Sequence, residues 1–359
     1  MLNKPRLLLI WICAAAVAAC QARAPRVSLI HAKSRVDPVI SSQGHGAVLS
    51  GRGDRVAFAR GYELFAVDVR TKREHLISTP AVSNVYVQAP LAFSPDSRHL
   101  LFTGSEACAG STCQSRVYSV PVTEQSLASL DKFNRRFQGT LEHLIPGAPE
   151  EWMRLGVEAI TAPDSGLICC YSGAALLPDG RAVFAYSDRS SLKDQVRFAG
   201  GRVTEGKLVG VSANGDNIFV STLNPDGPFS VIQTFDSKTG TERGAPVAVD
   251  HVIGQLIGGD QIIAQSASGD RFEAIPLGVA AARVIVLPIP PAANGRRSLK
   301  RPKEAAPDPH GAAAKLDRTQ DVALSSVLAT MDGWLLLSWA LDSMSSQEQL
   351  LEVYAPGLR

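Results

Sequence analysis

The sequence predicts an all-β fold, a β-propeller of four-stranded blades carrying a small helical insertion. Three observations point there. A unit of strand, tight turn and strand recurs along the chain, with turn centres near residues 53, 96, 179, 215, 259 and 332. Three of the intervals, of 43, 36 and 44 residues, are about one repeat long, and the longer ones, of 83 and 73, each contain a stretch of different character. Each well-preserved copy continues into further short strands, and four strands per unit of about 40 residues is the pattern of propeller blades. Six copies predict six blades. Seven is the alternative, if the 83-residue interval hides one more.

The elements follow in order. Residues 1–19 are a targeting segment and not part of the fold. Lys4 and Arg6 form its basic start, and the apolar run Leu7 to Val17 is shorter than the roughly 20 residues a membrane-spanning helix needs. Residues 20–43 read as a tether, small and polar at both ends, with one candidate strand at Val27 to His31 that could complete the last blade of a closed ring. Residues 44–359 form one propeller domain. Its first repeat runs from Ala47-Val-Leu49 through the Gly51-Arg-Gly-Asp54 turn to Val56-Ala-Phe58. Glu63 to Val69 and His75-Leu-Ile77 supply its third and fourth strands.

The second repeat contains the clearest unit, Leu91-Ala-Phe-Ser-Pro-Asp-Ser-Arg-His-Leu-Leu-Phe102, followed by the strand Gln114 to Pro121. Its turn is written by Pro, which presets φ, and by Asp and Ser, which bond the local backbone. Residues 124–165 break the pattern. Leu127, Leu130, Phe133 and Phe137 make one helical stripe, and Pro149 to Arg154 suits the start of a second helix. We read an insertion packed on the propeller, with a diverged blade as the alternative. Further copies follow at Ala174–Tyr186, Leu208–Val220, Val252–Ala264 and Ser326–Ser338, the last closed by Gln349–Tyr354. Residues 289–320 hold seven Lys or Arg against three acidic residues, without apolar periodicity, and are expected to be a disordered basic loop.

Val17-Ala18-Ala19-Cys20 resembles the lipobox of a bacterial lipoprotein signal. That resemblance implies cleavage before Cys20 and acylation (palmitate among the chains) of Cys20, so the chain would meet the membrane through its N-terminal lipid. Gln21, where Asp would favour the inner membrane, implies an outer-membrane lipoprotein facing the periplasm, with the cell surface as the alternative address. Loss of Lys4 and Arg6 leaves 34 basic and 34 acidic residues. That balance gives no strong overall field for nucleic acid or acidic lipid. The expected state is a monomer.

Four cysteines remain after Cys13 leaves with the signal and Cys20 takes lipid. Export permits disulfides. Cys108 and Cys113 flank the loop-like Ala109-Gly-Ser-Thr112 and are expected to close a hairpin loop as a disulfide. The adjacent Cys169 and Cys170 leave three readings open: a vicinal disulfide, free thiols, or two strand residues facing opposite sides.

Phe93-Ser-Pro-Asp-Ser97 and Leu64-Phe-Ala-Val-Asp68 resemble the PD40 repeats of TolB-like propellers, a WD40-like class. The likeness covers residues 44–123 well and 174–286 and 324–356 loosely, and is informative about fold rather than function. The turns are degenerate and no α/β domain precedes the repeats, so no partner carries over from that family.

The search for chemistry returns no catalytic, cofactor-binding or metal-ligating set. G-x-S-x-G, H-E-x-x-H and phosphate-binding loops are absent from the sequence. Asp54, Asp96, Asp179, Asp216 and Asp332 fall in turn positions and are expected to cap them. Trp334, Trp339 and Tyr354 are expected in the core. The leading reading is a lipid-anchored cell-envelope binding or scaffold protein, presenting its propeller to a protein or peptide partner. The alternative is an enzyme of the central funnel, a lyase, lactonase or quinone-dependent dehydrogenase, for which Cys169-Cys170 is the one specific hint.

Overall fold

Alternating apolar residues bounded by short turns pair into sheets, antiparallel but for one parallel pair of strands among the described residues, throughout the computed structural model. It describes residues 26–34, 47–106, 115–138, 145–161, 168–188, 190–191, 193–212, 214–223, 230–249, 251–257, 260–265, 272–277, 285–286, 296–300, 319–330, 332–341 and 347–354. The first strand is β1 (Arg26–Ser34). Blade one pairs β2 (Ala47–Leu49), β3 (Arg55–Arg60), β4 (Glu63–Asp68) and β5 (Glu74–Ser78) in chain order. A short helix, α1 (Pro80–Ser83), leads to blade two: β6 (Val85–Phe93), β7 (His99–Glu106), β8 (Ser115–Pro121) and β9 (Glu158–Ala159). Between β8 and β9 lie α2 (Glu124–Asn134) and α3 (Ala148–Arg154).

Blade three is β10 (Ile168–Leu176), β11 (Ala182–Asp188), β12 (Asp194–Arg197) and β13 (Val203–Glu205). Blade four is β14 (Lys207–Val211), β15 (Asn217–Leu223), β16 (Ser230–Asp236) and β17 (Glu242–Val249). The last sheet has nine strands. Its members are β18 (His251–Ile257), β19 (Gln261–Gln265), β20 (Phe272–Pro276), β21 (Ile285–Val286), β22 (Arg296–Lys300), β23 (Thr319–Thr330), β24 (Leu335–Leu341), β25 (Gln347–Tyr354) and β1.

The expected count of six blades, or seven, is therefore corrected to five. The fifth and sixth repeats share one sheet because their first strands hydrogen-bond in parallel, Gly254 opposite Val327 through Ile257 opposite Thr330. Gly254 makes this possible, since a Cβ there would lie 1.6 Å from the Val327 carbonyl oxygen. Sequence periodicity counts repeats, and it does not register two repeats pairing edge to edge. The 83-residue interval holds the helices and β9 rather than another blade. Part of the expected disordered loop is also corrected. Residues 296–300 form β22, paired antiparallel with residues 319–323, while 301–318 lie outside the described residues.

β1 closes the ring. It runs antiparallel to β25 from Arg26 opposite Tyr354 to Ser34 opposite Gln347, so the strand expected near 27–31 is the outermost strand of the last sheet. The first strands neighbour one another in the order β2, β6, β10, β14, β18, β23 and back to β2. Apolar clusters fill the junctions between sheets. Phe58, Phe65, Trp334, Leu336 and Val353 bind blade one to the last sheet, and Val183, Phe198, Ile218 and Phe235 bind blade three to blade four. Trp334 and Trp339 are buried, as expected.

The helical insertion covers an edge. Leu127, Leu130 and Phe133 of α2 are buried with Trp152 of α3 against blades one and two. Polar side chains of the same elements satisfy the free backbone groups of β5. The Asp131 carboxylate accepts from the Leu76 amide at 2.8 Å. Asn134 Nδ2 and Trp152 Nε1 both donate to the Ile77 carbonyl, at 2.9 and 3.0 Å, and Arg135 donates to the Glu74 carbonyl at 3.1 Å. An open strand edge invites intermolecular pairing, and a buried unpaired backbone group costs about 1–3 kcal/mol. The insertion removes both penalties.

Gly254→Ala is expected to lower stability by an amount at or above the upper end of the about 1–3 kcal/mol typical of overpacking, because the clash is with backbone. Gly210→Ala is the control. Its Cβ would meet the Gln255 side-chain oxygen at 2.4 Å, the far end of a chain that can swing away. Urea unfolding of the two variants checks this. Equal midpoints would contradict the close pairing of β18 and β23.

Candidate functional site

The first-to-second-strand turns define one face of the propeller, called here the turn face. In blade one Ser50 N donates to the Arg55 carbonyl and Gly53 N to the Ser50 carbonyl, both at 2.9 Å. The same pattern recurs at Ser94 with His99, Leu177 with Arg181, Ser212 with Asn217 and Thr330 with Trp334. A left-handed residue sits in each: Gly53, Ser97, Gly180, Gly215 and Gly333. Of the aspartates expected to cap these turns, Asp96 and Asp179 accept from backbone amides, those of Arg98 and Arg181, whereas the Asp54 and Asp216 carboxylates accept from side chains. Asp54 accepts from the Ser50 hydroxyl at 2.7 Å, Asp96 from the Ser94 hydroxyl at 2.6 Å, Asp179 from the Arg181 amide at 3.1 Å and Asp216 from Asn214 Nδ2 at 2.8 Å. Asp332 lies in the last turn.

Sequence reasoning missed a second set. Asp68, Asp188 and Asp236 accept from backbone amides two or three residues on, those of Thr71, Ser190 with Ser191, and Lys238 with Thr239. The legible signal was an Asp followed three residues later by Ser or Thr, at the end of a strand.

The opposite face carries the most exposed aromatic group among the described residues. The β3–β4 turn at Gly61-Tyr62 projects Tyr62, 37% exposed. Its ring meets Tyr86 edge-on, with centroids 5.2 Å apart at 84°. The backbone joins the two blades here, Val87 N donating to the Tyr62 carbonyl at 3.2 Å. Asn84, left-handed at the end of α1, turns the chain into β6 and delivers Tyr86. Glu106 pairs in register with Val85, beside Tyr86. It forms an ion pair with Arg116 at 3.2 Å and accepts from the Tyr118 hydroxyl at 3.3 Å. Burial, then the nearby Glu106 charge, pushes the Tyr118 pKa up, so it remains a donor at neutral pH.

Blade one adds a charged flank. Arg60 lies over the Phe65 ring at 4.6 Å and pairs with Glu74 at 2.9 Å. Burial raises the Glu63 carboxyl above its usual range, against the opposing pull of Thr79 and Arg60. The mouth between blades one and two thus offers two aromatic rings with the Glu106–Arg116 pair close by, while Arg60 and Glu74 lie on the side of blade one that faces the last sheet. That composition suits a protein or peptide surface, where Tyr and Arg are enriched.

Elsewhere in the ring the first strands approach closely, as Gly254 on Val327 and Gly210 against Gln255 show. Ile257 reaches across toward blade one, and its side chain lies 3.9 Å from where a Cβ on Gly51 would stand. Among the described residues no three His, Cys, Asp or Glu side chains are grouped as metal ligands. Cys20, Cys108 and Cys113 lie outside the described residues. Cys169 and Cys170 lie in β10, where register passes from Ile168 opposite Asp188 to Cys170 opposite Ser187, making Cys169 the extra residue of a bulge. Their side chains lie outside the described residues. Tyr354 is in β25, its side chain likewise outside.

The turn aspartates set an acid limit. Asp96, Asp179 and Asp236 are held below the ordinary carboxylate value, chiefly by Ser94, Arg181 and Thr239 respectively. In Asp68 the bonds from Thr71 outweigh an opposing burial effect. Asp188 is lowered to about 2, mainly by the Ser190 hydroxyl. Lowered folded pKa values mean that the unfolded chain binds more protons in the interval between. Their stabilisation is complete above the unfolded value near 4 and is lost as pH falls toward 2. Asp188→Asn is expected to make the acid limb of thermal stability shallower between pH 4 and 2. An unchanged limb would contradict this assignment.

No family model matches the sequence, and no curated protein does. Solved structures do. TolB from Acinetobacter baumannii is 17% identical over 64% of this chain and 50% of its own, with a TM-score of 0.35. An oligogalacturonate lyase in complex with manganese is 11% identical over 87% of this chain and 77% of its own, with a TM-score of 0.43. The soluble aldose sugar dehydrogenase of Escherichia coli in its apo form is 12% identical over 92% and 100%, with a TM-score of 0.44. The chain spans half the length of the TolB structure. These likenesses concern fold and carry nothing about activity. By its own sheet pairing the chain is a β-propeller, and TolB and other propeller proteins are among its structural neighbours.

Proposed function

We propose that the protein is a lipid-anchored binding or scaffold protein of the cell envelope, which holds a propeller at the periplasmic side of the outer membrane and engages a protein or peptide partner. Val17-Ala18-Ala19-Cys20 supports the anchor, and Gln21 the membrane. The observation that carries the binding role is the Tyr62–Tyr86 pair at the mouth between blades one and two, Tyr62 exposed and Tyr86 half-buried, with Glu106 and Arg116 beside it. Aromatic rings bring large contact area at low conformational cost, and the flanking ion pair supplies direction and register. An enzyme of the central funnel is the reading that these observations do not favour.

A photoreactive amino acid placed at Tyr62 in living cells tests the binding role. The expected result is a discrete cross-linked adduct with one envelope protein, absent when the probe sits at the exposed Val203 on blade three. The same adduct pattern at both positions would overturn the assignment of the mouth. Mass spectrometry of the N-terminal peptide tests the anchor. Cys20 should carry diacylglycerol, and Cys20→Ser should abolish lipid labelling. An unmodified mature Cys20 would overturn the membrane address.

A further inference from the structure

We infer that the turn face of blades one and two docks on the anionic phospholipid headgroups of the membrane that carries the anchor. The inference rests on the reading of Cys20 as the lipid site and adds an orientation to it.

The entry point of the tether is set by strand register. Arg26 starts β1 opposite Tyr354, and Tyr354 lies opposite Leu335, the first residue of β24. Trp334, just before it, closes the last first-to-second-strand turn. A Cβ on Gly53 would lie 2.0 Å from the Trp334 side chain, so that turn is packed directly on the blade-one turn. The chain therefore enters the propeller on the turn face, beside blade one. Five residues lie between Cys20 and Arg26, so the six Cα-to-Cα steps span roughly 20 Å at most when extended. From Arg26 the nine residues of β1 run away from the turn face, a further rise of about 30 Å. The tether is too short to bring the opposite face to the bilayer, so Tyr62 and Tyr86 point away from it.

The face turned toward the membrane is basic where the tether enters. Arg52 lies in the first turn of blade one, Arg70, Lys72 and Arg73 in its last turn, and Arg98 in the first turn of blade two. All five are exposed. The turns are one connected structure. Val69 N donates to the Asp54 carbonyl at 2.9 Å, and Gly51 abuts Ser97 of the next blade. Among the described residues none of the five is in an ion pair with an acidic side chain. The neighbouring acids Asp54, Asp68 and Asp96 are tied into their own turns by Ser50, Thr71 and Ser94, and Asp332 lies on the flank. Clustered Lys and Arg beside a lipid anchor are drawn to anionic headgroups within about a Debye length. The anchor places these residues at that distance, which favours lipid over a diffusing acidic protein.

The test uses the mature lipidated protein and two kinds of vesicle, phosphatidylcholine alone and phosphatidylcholine with phosphatidylglycerol, at low salt. Anionic vesicles should bind at least tenfold more tightly. The variant R52Q/R70Q/K72Q/R73Q/R98Q should lose that gain while keeping its binding to neutral vesicles and its melting temperature. K193Q/K207Q, which removes two charges from the other face, should keep the gain. Equal binding to both vesicles, or a gain retained by the five-site variant, would overturn the docking face. Failure to bind neutral vesicles at all would instead overturn the lipid reading, and is seen separately from the anionic gain.

Discussion

The hydrogen-bond ladder between β1 and β25 holds the ends of the chain together, and the rest of the ring depends on it. Each sheet has two apolar faces that must be covered and two edges that must be paired or shielded. Stacking around a ring covers the faces. It succeeds only if the last sheet packs on the first, as Trp334, Leu336 and Val353 do on Phe58 and Phe65. β1 then shields the edge left by β25 at the place where the tether arrives. A contact between the two ends of a 359-residue chain carries a large loop-closure cost. Its return is a ring in which every apolar junction is closed.

The other edges are handled locally, and differently from place to place. The edge of β5 is covered by side chains of the insertion, through Asp131, Asn134, Arg135 and Trp152. The first strand of the fifth repeat is paired to that of the sixth through Gly254. The first solution uses four side chains and the second one glycine, and both alter the regular plan. One inserts helices between the third and fourth strands of a blade. The other joins two repeats into one sheet and leaves five blades. The two faces of the ring end up chemically distinct. Short capped turns with Arg and Lys lie where the tether enters, and an aromatic mouth lies on the far side.

Much of the fold was legible because turns and strands are written in local residues. Pro95-Asp96 and Pro178-Asp179-Gly180 announce turns whose backbone bonds the structure contains. The stripe Leu127, Leu130 and Phe133 announces a helix that is buried on that face. What was not legible depends on approach between distant residues. Nothing in Val252–Ile257 says that Gly254 will sit against Val327, some seventy positions on. Arg296–Lys300 is too basic to read as a strand, and becomes one only because residues 319–323 present a partner edge. The mouth was missed for a related reason. Tyr62 and Tyr86 are ordinary strand-and-turn residues in sequence, and only the junction of two blades brings their rings together.

The central claim is that the N-terminal strand closes the ring against the C-terminal one. Amide hydrogen exchange on the full mature chain tests it most directly, read over peptides spanning 26–34 and 347–354. The account predicts that both are protected to a degree comparable with the buried strand 335–341. Exchange over 26–34 at the rate of an unstructured peptide, with 347–354 still protected, would contradict it.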